Sequence, residues 1–372
     1  MSKNDVAWKK LFDEQKILEE VNKNCFFEIK ASEINQERES RLMAKFDHFV
    51  NLPEIFRENN LSILPISRSQ YIIGHFNTHL PVKYNQEIEV TPWQFPTNIE
   101  SIDYSNLYSE NSALLCAFNL GIIDDLVRAE AKLTVSGRMS TGSFEFNIRN
   151  SQANQPYLIN VKNSQCEIDA GFETDNCLIL MEAKNYEVED FLIRQLYYPY
   201  RLWSEKVNKK VVPVLMTHSN DIFSFFVYEF KDKLNYNSIT LVEQRIYKIA
   251  VEEIERYEVD LIFKNIQIIP EPEKIPLEQA DKFERLVDLI SLLLENDLTK
   301  DEITENYQFD SRQTDYYTSA GKYLGLIEKY GKIFTLTDEA KNIFRKVNKF
   351  KYLDLIKKIL EHKAFYEAFR IT

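Results

Sequence analysis

The sequence predicts an α/β fold, a mixed sheet flanked by helices, and three observations carry that expectation. Cys177-Leu178-Ile179-Leu180-Met181 is an unbroken apolar run, the pattern of a strand covered on both faces. Residues 188–206 follow, with Phe191, Leu192, Leu196 and Trp203 near helical spacing, and read as one amphipathic helix in which Pro199 predicts a kink or an early stop. Two further apolar runs, 211–216 and 223–230, supply more strands. Strand, helix and strand in succession is the alternation from which such sheets are built.

The 372 residues suffice for two or three domains. Residues 1–115 read as an N-terminal α+β region. Trp8, Leu11, Phe12, Ile17, Leu18 and Val21 make an apolar stripe that predicts a helix over 6–21. Phe26-Phe27-Glu28-Ile29 predicts a short strand, Ala31-Ser32-Glu33-Ile34 a helix start, and Tyr71-Ile72-Ile73-Gly74 another strand. Between them lies Glu37-Arg38-Glu39-Ser40-Arg41-Leu42-Met43-Ala44-Lys45-Phe46-Asp47-His48. There Arg38, Arg41 and Lys45 fall three and four apart, on one helical face. Such a face suits phosphates; a surface lattice of ion pairs with Glu37 and Glu39 is the alternative.

Residues 116–268 hold the predicted sheet. Two strand-like runs within 133–148 flank Gly137-Arg138-Met139-Ser140-Thr141-Gly142. The chain has only eight glycines, so a pair this close marks a place where backbone can approach a ligand. An arginine there can bridge two acceptors of a guanine edge or a phosphate, which makes Arg138 and Ser140 candidate contacts. A plain hairpin turn is the alternative.

The chemistry is concentrated further on. Asp169 stands in Gln165-Cys166-Glu167-Ile168-Asp169-Ala170-Gly171-Phe172-Glu173, and the apolar run 177–181 leads directly into Glu182-Ala183-Lys184. Pairing the two strands as a hairpin brings both acids to one rim. Side-chain alternation sets Glu182 and Lys184 on one face and turns Ala183 away. Carboxylate oxygens suit Mg²⁺, which keeps several waters and takes one or two carboxylates plus substrate phosphate oxygens. The lysine can hold or polarise an attacking water. The plainer alternative is a solvated strand end with an ion pair.

These residues resemble the PD-(D/E)XK nuclease superfamily, more narrowly its type II restriction endonucleases, over roughly residues 120–230. The resemblance implies Mg²⁺ as cofactor, held by Asp169, Glu182 and the backbone carbonyl of Ala183, with Lys184 catalytic. It also implies that Gln195 matches the glutamine some members place on the following helix. The proline of the family name is absent, since Ile168 precedes Asp169. Glu167 and Glu173 share a side with Asp169 and are candidates to support it, and Glu130 is a candidate for the extra acid of some members, on an upstream helix. The Arg-rich stretch ending in Lys45-Phe46-Asp47 is similar to the N-terminal region of certain type II restriction enzymes.

Residues 269–280 carry Pro270, Pro272 and Pro276 and read as an extended linker. Residues 281–372 follow as a third segment. Residues 283–294 predict an amphipathic helix, and Thr299 with Glu302 forms the capping box of the next. A third helix spans 311–324, and 325–337 reads as strand, tight turn, strand. This order resembles the winged-helix family over about 60 residues, whose third helix enters the major groove. Arg312, Gln313, Tyr316, Tyr317, Ser319 and Lys322 are its expected exposed residues, with Lys329 and Lys332 beside the wing tip. Winged helices also serve as protein-interaction modules.

Composition bounds the rest. The net charge is −12, which argues against a protein that coats nucleic acid. Residues 311–372, however, hold 13 Lys/Arg against 7 Asp/Glu, a local +6. An acidic body with a basic end fits DNA binding by one surface, sensitive to salt. Cys25, Cys116, Cys166 and Cys177 show no zinc spacing and read as buried free thiols of a cytoplasmic protein. No apolar run reaches membrane-spanning length, so no membrane partner is expected. The leading expectation is a Mg²⁺-dependent, sequence-specific endonuclease acting on double-stranded DNA as a homodimer. A transposon-end or repair nuclease of the same superfamily, and a non-catalytic winged-helix DNA-binding regulator, are the alternatives.

Overall fold

The structure, a computed structural model, describes residues 2–96, 98–104, 107, 109–152, 155–249, 253–272, 280–307, 309, 311–346 and 348–371. Two compact units interleave along the chain: residues 1–89, 123–217 and 224–246 form one, and 90–122, 218–223 and 247–372 the other. The sequence segments 1–115 and 116–268 therefore do not coincide with these units. Residues 273–279 of the expected linker lie outside the described residues.

The first unit is a mixed α/β body. Its large sheet sets side by side residues 239–246, 224–230, 210–217, 177–184, 165–173 and 132–140. Cys177–Lys184 runs antiparallel to Gln165–Glu173, with Met181 opposite Ala170, and parallel to Lys210–Ser219, with Lys184 opposite Thr217. Neighbours on both sides explain its unbroken apolar run, since Leu178, Ile179, Leu180 and Met181 are all buried. Gly171 is needed where the Lys132–Ser140 strand bulges, because a Cβ there would lie 2.8 Å from Val135 Cβ.

Three local expectations need correction. The helix expected over 6–21 is two, Lys3–Gln15 and Ile17–Asn24, because Lys16 takes a left-handed φ of 52° between them. Together they bury Trp8, Phe12 and Val21 beside the antiparallel sheet of Phe26–Lys30, Gln70–Gly74 and Ser62–Pro65. The helix expected over 188–206 begins only at Arg194: Asp190–Leu192 is a short strand paired with His79–Pro81, and the helix Arg194–Trp203 accommodates Pro199 within it. It packs on the strands Gln165–Glu173 and Cys177–Lys184, burying Leu196, Tyr197, Tyr198 and Leu202. Finally, Ser143–Ile148 pairs with Tyr157–Lys162, while Lys132–Ser140 pairs with Gln165–Glu173. Residues 137–140 thus belong to the first of these strands, and Thr141-Gly142 joins two sheets instead of making a hairpin turn.

In the second unit, helices Phe283–Glu295, Lys300–Asn306 and Ser311–Tyr323 are followed by the strands Ile327–Tyr330 and Ile333–Leu336. Leu298–Thr299 adds a third strand, so that Ile333–Leu336 is central. Thr299 and Glu302 make the expected capping box. Among the described residues no helix is long and apolar enough to cross a membrane.

Candidate active site

All residues of the candidate site belong to the first unit. At the end of the Cys177–Lys184 strand, Glu182 and Lys184 share a face and are almost completely buried, at 7% and 4% exposure. Lys184 Nζ donates to Glu182 Oε1 at 2.7 Å, and Gln195 Nε2, from the first turn of the Arg194–Trp203 helix, donates to the same oxygen. Asp169 reaches across from the neighbouring strand, its Oδ2 accepting the Ala183 N–H at 2.8 Å. The structure therefore brings Asp169, Glu182, Ala183, Lys184 and Gln195 together.

Asp47 joins this cluster, and sequence reasoning gave it no role. Its Oδ2 lies 3.9 Å from Lys184 Nζ and 3.6 Å from Lys45 Nζ. Its side chain is 20% exposed; Oδ1 is buried and has no hydrogen-bond partner, and neither has Gln195 Oε1. The sequence signal was weak: an acid in an Arg- and Lys-rich stretch, far from Asp169 along the chain. Glu130, the expected extra acid, is instead exposed and lies beyond the end of the helix Ile122–Val127.

Burial is the main reason that the Glu182 carboxyl is pushed up to about 7, and the carboxylates of Asp169 and Asp47 push it the same way against the pull of Lys184. Burial also opposes charge on Asp47, yet Lys184, Lys45 and Arg194 outweigh it and hold that carboxyl at about 2. Glu182 and Asp47 thus both face the buried Lys184 ammonium, and Asp169 acts on Glu182.

Among the described residues, no group of three or more His, Cys, Asp or Glu side chains is placed to hold a metal ion. Mg²⁺ seldom uses such a group, since it keeps waters and takes one or two carboxylates. The burial and neighbouring carboxylates that push Glu182 up mark a place where a divalent cation would offset negative charge, and Asp169 with Glu182 fits the one or two carboxylates that Mg²⁺ takes.

The other candidates have ordinary partners. Arg138 pairs with Glu167 at 3.1 Å and Glu173 with Lys209 at 2.7 Å. Ser140 ends its strand, half-buried. Arg38, Arg41 and Lys45 do not share a helical face, because the helix is only Ser40–Ala44. Arg38 donates to Asn4 Oδ1 at 2.6 Å, and Glu37 pairs with Lys10. In the second unit Arg312 and Lys332 are exposed, and Gln313, Tyr316, Ser319 and Lys322 half-buried. Arg312 Nε donates to Tyr316 Oη at 2.6 Å. Tyr317, expected on the surface, is 2% exposed; its ring stacks on Phe309 at 4.8 Å and its hydroxyl donates to Asp281 at 3.0 Å. All four cysteines are free, but Cys25 is exposed.

Fold and site together define a mixed α/β protein with a carboxylate–lysine centre at the end of an interior strand. Three families match the chain, each described only as a domain of unknown function: DUF6996 over residues 5–73, DUF6997 over 74–248 and DUF7226 over 285–372. Asp47 falls in the first of these matches, and Asp169, Glu182, Lys184 and Gln195 in the second. No curated protein and no solved structure matches the chain.

Proposed function

We propose that this chain is a Mg²⁺-dependent DNA endonuclease of the PD-(D/E)XK kind, a type II restriction enzyme with a C-terminal winged helix. The observation that carries the reading is the convergence of Asp169, Glu182 and Lys184 across two adjacent strands, with Gln195 bound to Glu182.

Asp169, Glu182 and the Ala183 carbonyl would hold the cation. When bound, it supplies a Lewis acid that stabilises charge gathering on the phosphoryl oxygens. The protein's own contribution is order. Gln195 and Lys184 fix the Glu182 carboxylate from two sides. The Lys184 ammonium is placed to orient the attacking water and to offset the charge of the pentavalent phosphorus. The products are 5′-phosphate and 3′-hydroxyl ends. Cutting both strands calls for two such centres, hence a homodimer reading a palindrome.

The three helices and three-stranded sheet of the second unit support a winged helix, with Arg312, Gln313, Tyr316 and Lys322 on its reading helix and Lys332 at the wing. Tyr317 is withdrawn from that set by its burial.

The test is digestion of a phage genome by the purified protein with Mg²⁺ and with EDTA, followed by mapping of the ends. Discrete fragments in Mg²⁺ alone are expected, and Glu182→Ala or Lys184→Ala should abolish them while DNA binding survives. Cutting that needs partner proteins would point to a transposon-end or repair nuclease. DNA binding with no cleavage in any divalent ion would point to a regulator.

A further inference from the structure

Asp47 reaches the centre from a stretch with no regular structure, between the helix Ser40–Ala44 and the turn Phe49–Asn51. A carboxylate on a loop is held at a charged cluster only if its neighbours lock it there, and the lock is present. The Leu192 N–H donates to the Asp47 carbonyl at 2.9 Å. His48, 2% exposed, is gripped on both ring nitrogens. Its Nδ1 lies 2.7 Å from the Asp190 carbonyl and 3.3 Å from Asp190 Oδ1, and its Nε2 lies 2.9 Å from the Tyr186 hydroxyl. The two Asp190 acceptors call for a donor at Nδ1, and the Tyr186 hydroxyl can meet Nε2 as donor or acceptor. The Phe49 N–H donates to both Asp190 carboxylate oxygens at 3.2 Å, and His79 Nε2 donates to the Phe46 carbonyl at 3.0 Å. All four residues 46–49 are thus tied to the paired strands Asp190–Leu192 and His79–Pro81. Asp190–Leu192 leads within three residues to Gln195, which holds Glu182.

We propose that His48, clasped by Asp190 and Tyr186, is a positioning residue that presents Asp47 to the active centre. The stretch 190–195 then sets two of its groups at once: Asp47 through the clasp, and Glu182 through Gln195. The functional consequence rests on the nuclease reading; the clasp itself does not.

The test uses the full chain without DNA and follows Mn²⁺ binding by calorimetry in wild type, Asp47→Asn, His48→Ala, His48→Asn and the double variant Asp47→Asn/His48→Ala. His48→Ala should weaken Mn²⁺ binding about tenfold, as loss of a residue behind a metal-facing group does. His48→Asn, whose amide can replace the Nδ1 donor, should recover most of it. In the Asp47→Asn background His48→Ala should change nothing further, since the histidine acts through that acid. Wild-type affinity in His48→Ala, or losses that add in the double variant, would overturn the proposal. Should His48→Ala not fold, Asp190→Asn takes its place with the same non-additivity expected. A wild type that binds no Mn²⁺ and cuts no DNA sinks the nuclease reading alone. The clasp is then decided by the same cycle of melting temperatures in EDTA, where non-additive losses support it and additive losses overturn it.

Discussion

Lys184 is an ammonium buried against Glu182, so its removal is the most informative single change. Under the proposed function, Lys184→Ala should lower the cleavage rate at least about a hundredfold, the usual cost of losing one preorganised charge-stabilising donor, with DNA affinity retained in a binding assay. Glu182 gives a second prediction. Its folded carboxyl titrates at about 7 against an ordinary 4.5, so in that window the folded protein holds a proton that the unfolded chain has released. Stability of the metal-free protein should therefore fall as pH rises from about 4.5 to about 7, and Glu182→Gln should remove this slope. Melting temperatures in EDTA at pH 5 and pH 8 check it; an unchanged slope in the variant would refute the assignment. By the same linkage divalent ions should bind more tightly as pH rises through that range. Asp169, Glu182 and Lys184 were legible in the sequence because strand alternation and a hairpin are local rules. Asp47 was not, because long-range ties of residues 46–49 bring it there, and no local rule announces a contact between residues 47 and 192.

At the scale of elements, the errors have a common physical cause. Phe191 and Leu192 are buried in a strand, but an apolar pair satisfies helical and strand periodicity equally, and only pairing with His79–Pro81 decides. Tyr317 looked like a reading-helix contact for the same reason: tyrosine serves core and surface alike. The two uses separate experimentally. Tyr317→Ala should destabilise the protein by about 3 kcal/mol, the loss of a buried ring, measured as a shifted denaturant midpoint. Arg312→Ala, on an exposed position of the same helix, should leave the midpoint unchanged and, under the proposed function, weaken DNA binding. In the sheet, Gly171→Val should cost about 1–3 kcal/mol by overpacking against Val135.

For the molecule as a whole, the sequence indicated a mixed sheet flanked by helices, but its segments were too linear. The chain enters the second unit at residues 90–122 and again at 218–223 before settling there, and composition carries no trace of such excursions. The candidate centre likewise takes Asp47 from one family match and its other residues from another. The charge balance yields a prediction at this scale. With a net −12 overall and +6 over residues 311–372, DNA affinity under the proposed function should drop steeply between low and moderate salt, and a titration at several salt concentrations reads the slope.

The strand that ends in Glu182 is hydrogen-bonded along both edges, whereas the residues around Asp47 have only isolated ties. Deuterium exchange should accordingly reach the amides of residues 46–49 long before those of 178–183. A brief, partial opening would carry one acid away and leave the other two seated, so under the proposed function cleavage is lost while the protein remains almost wholly folded.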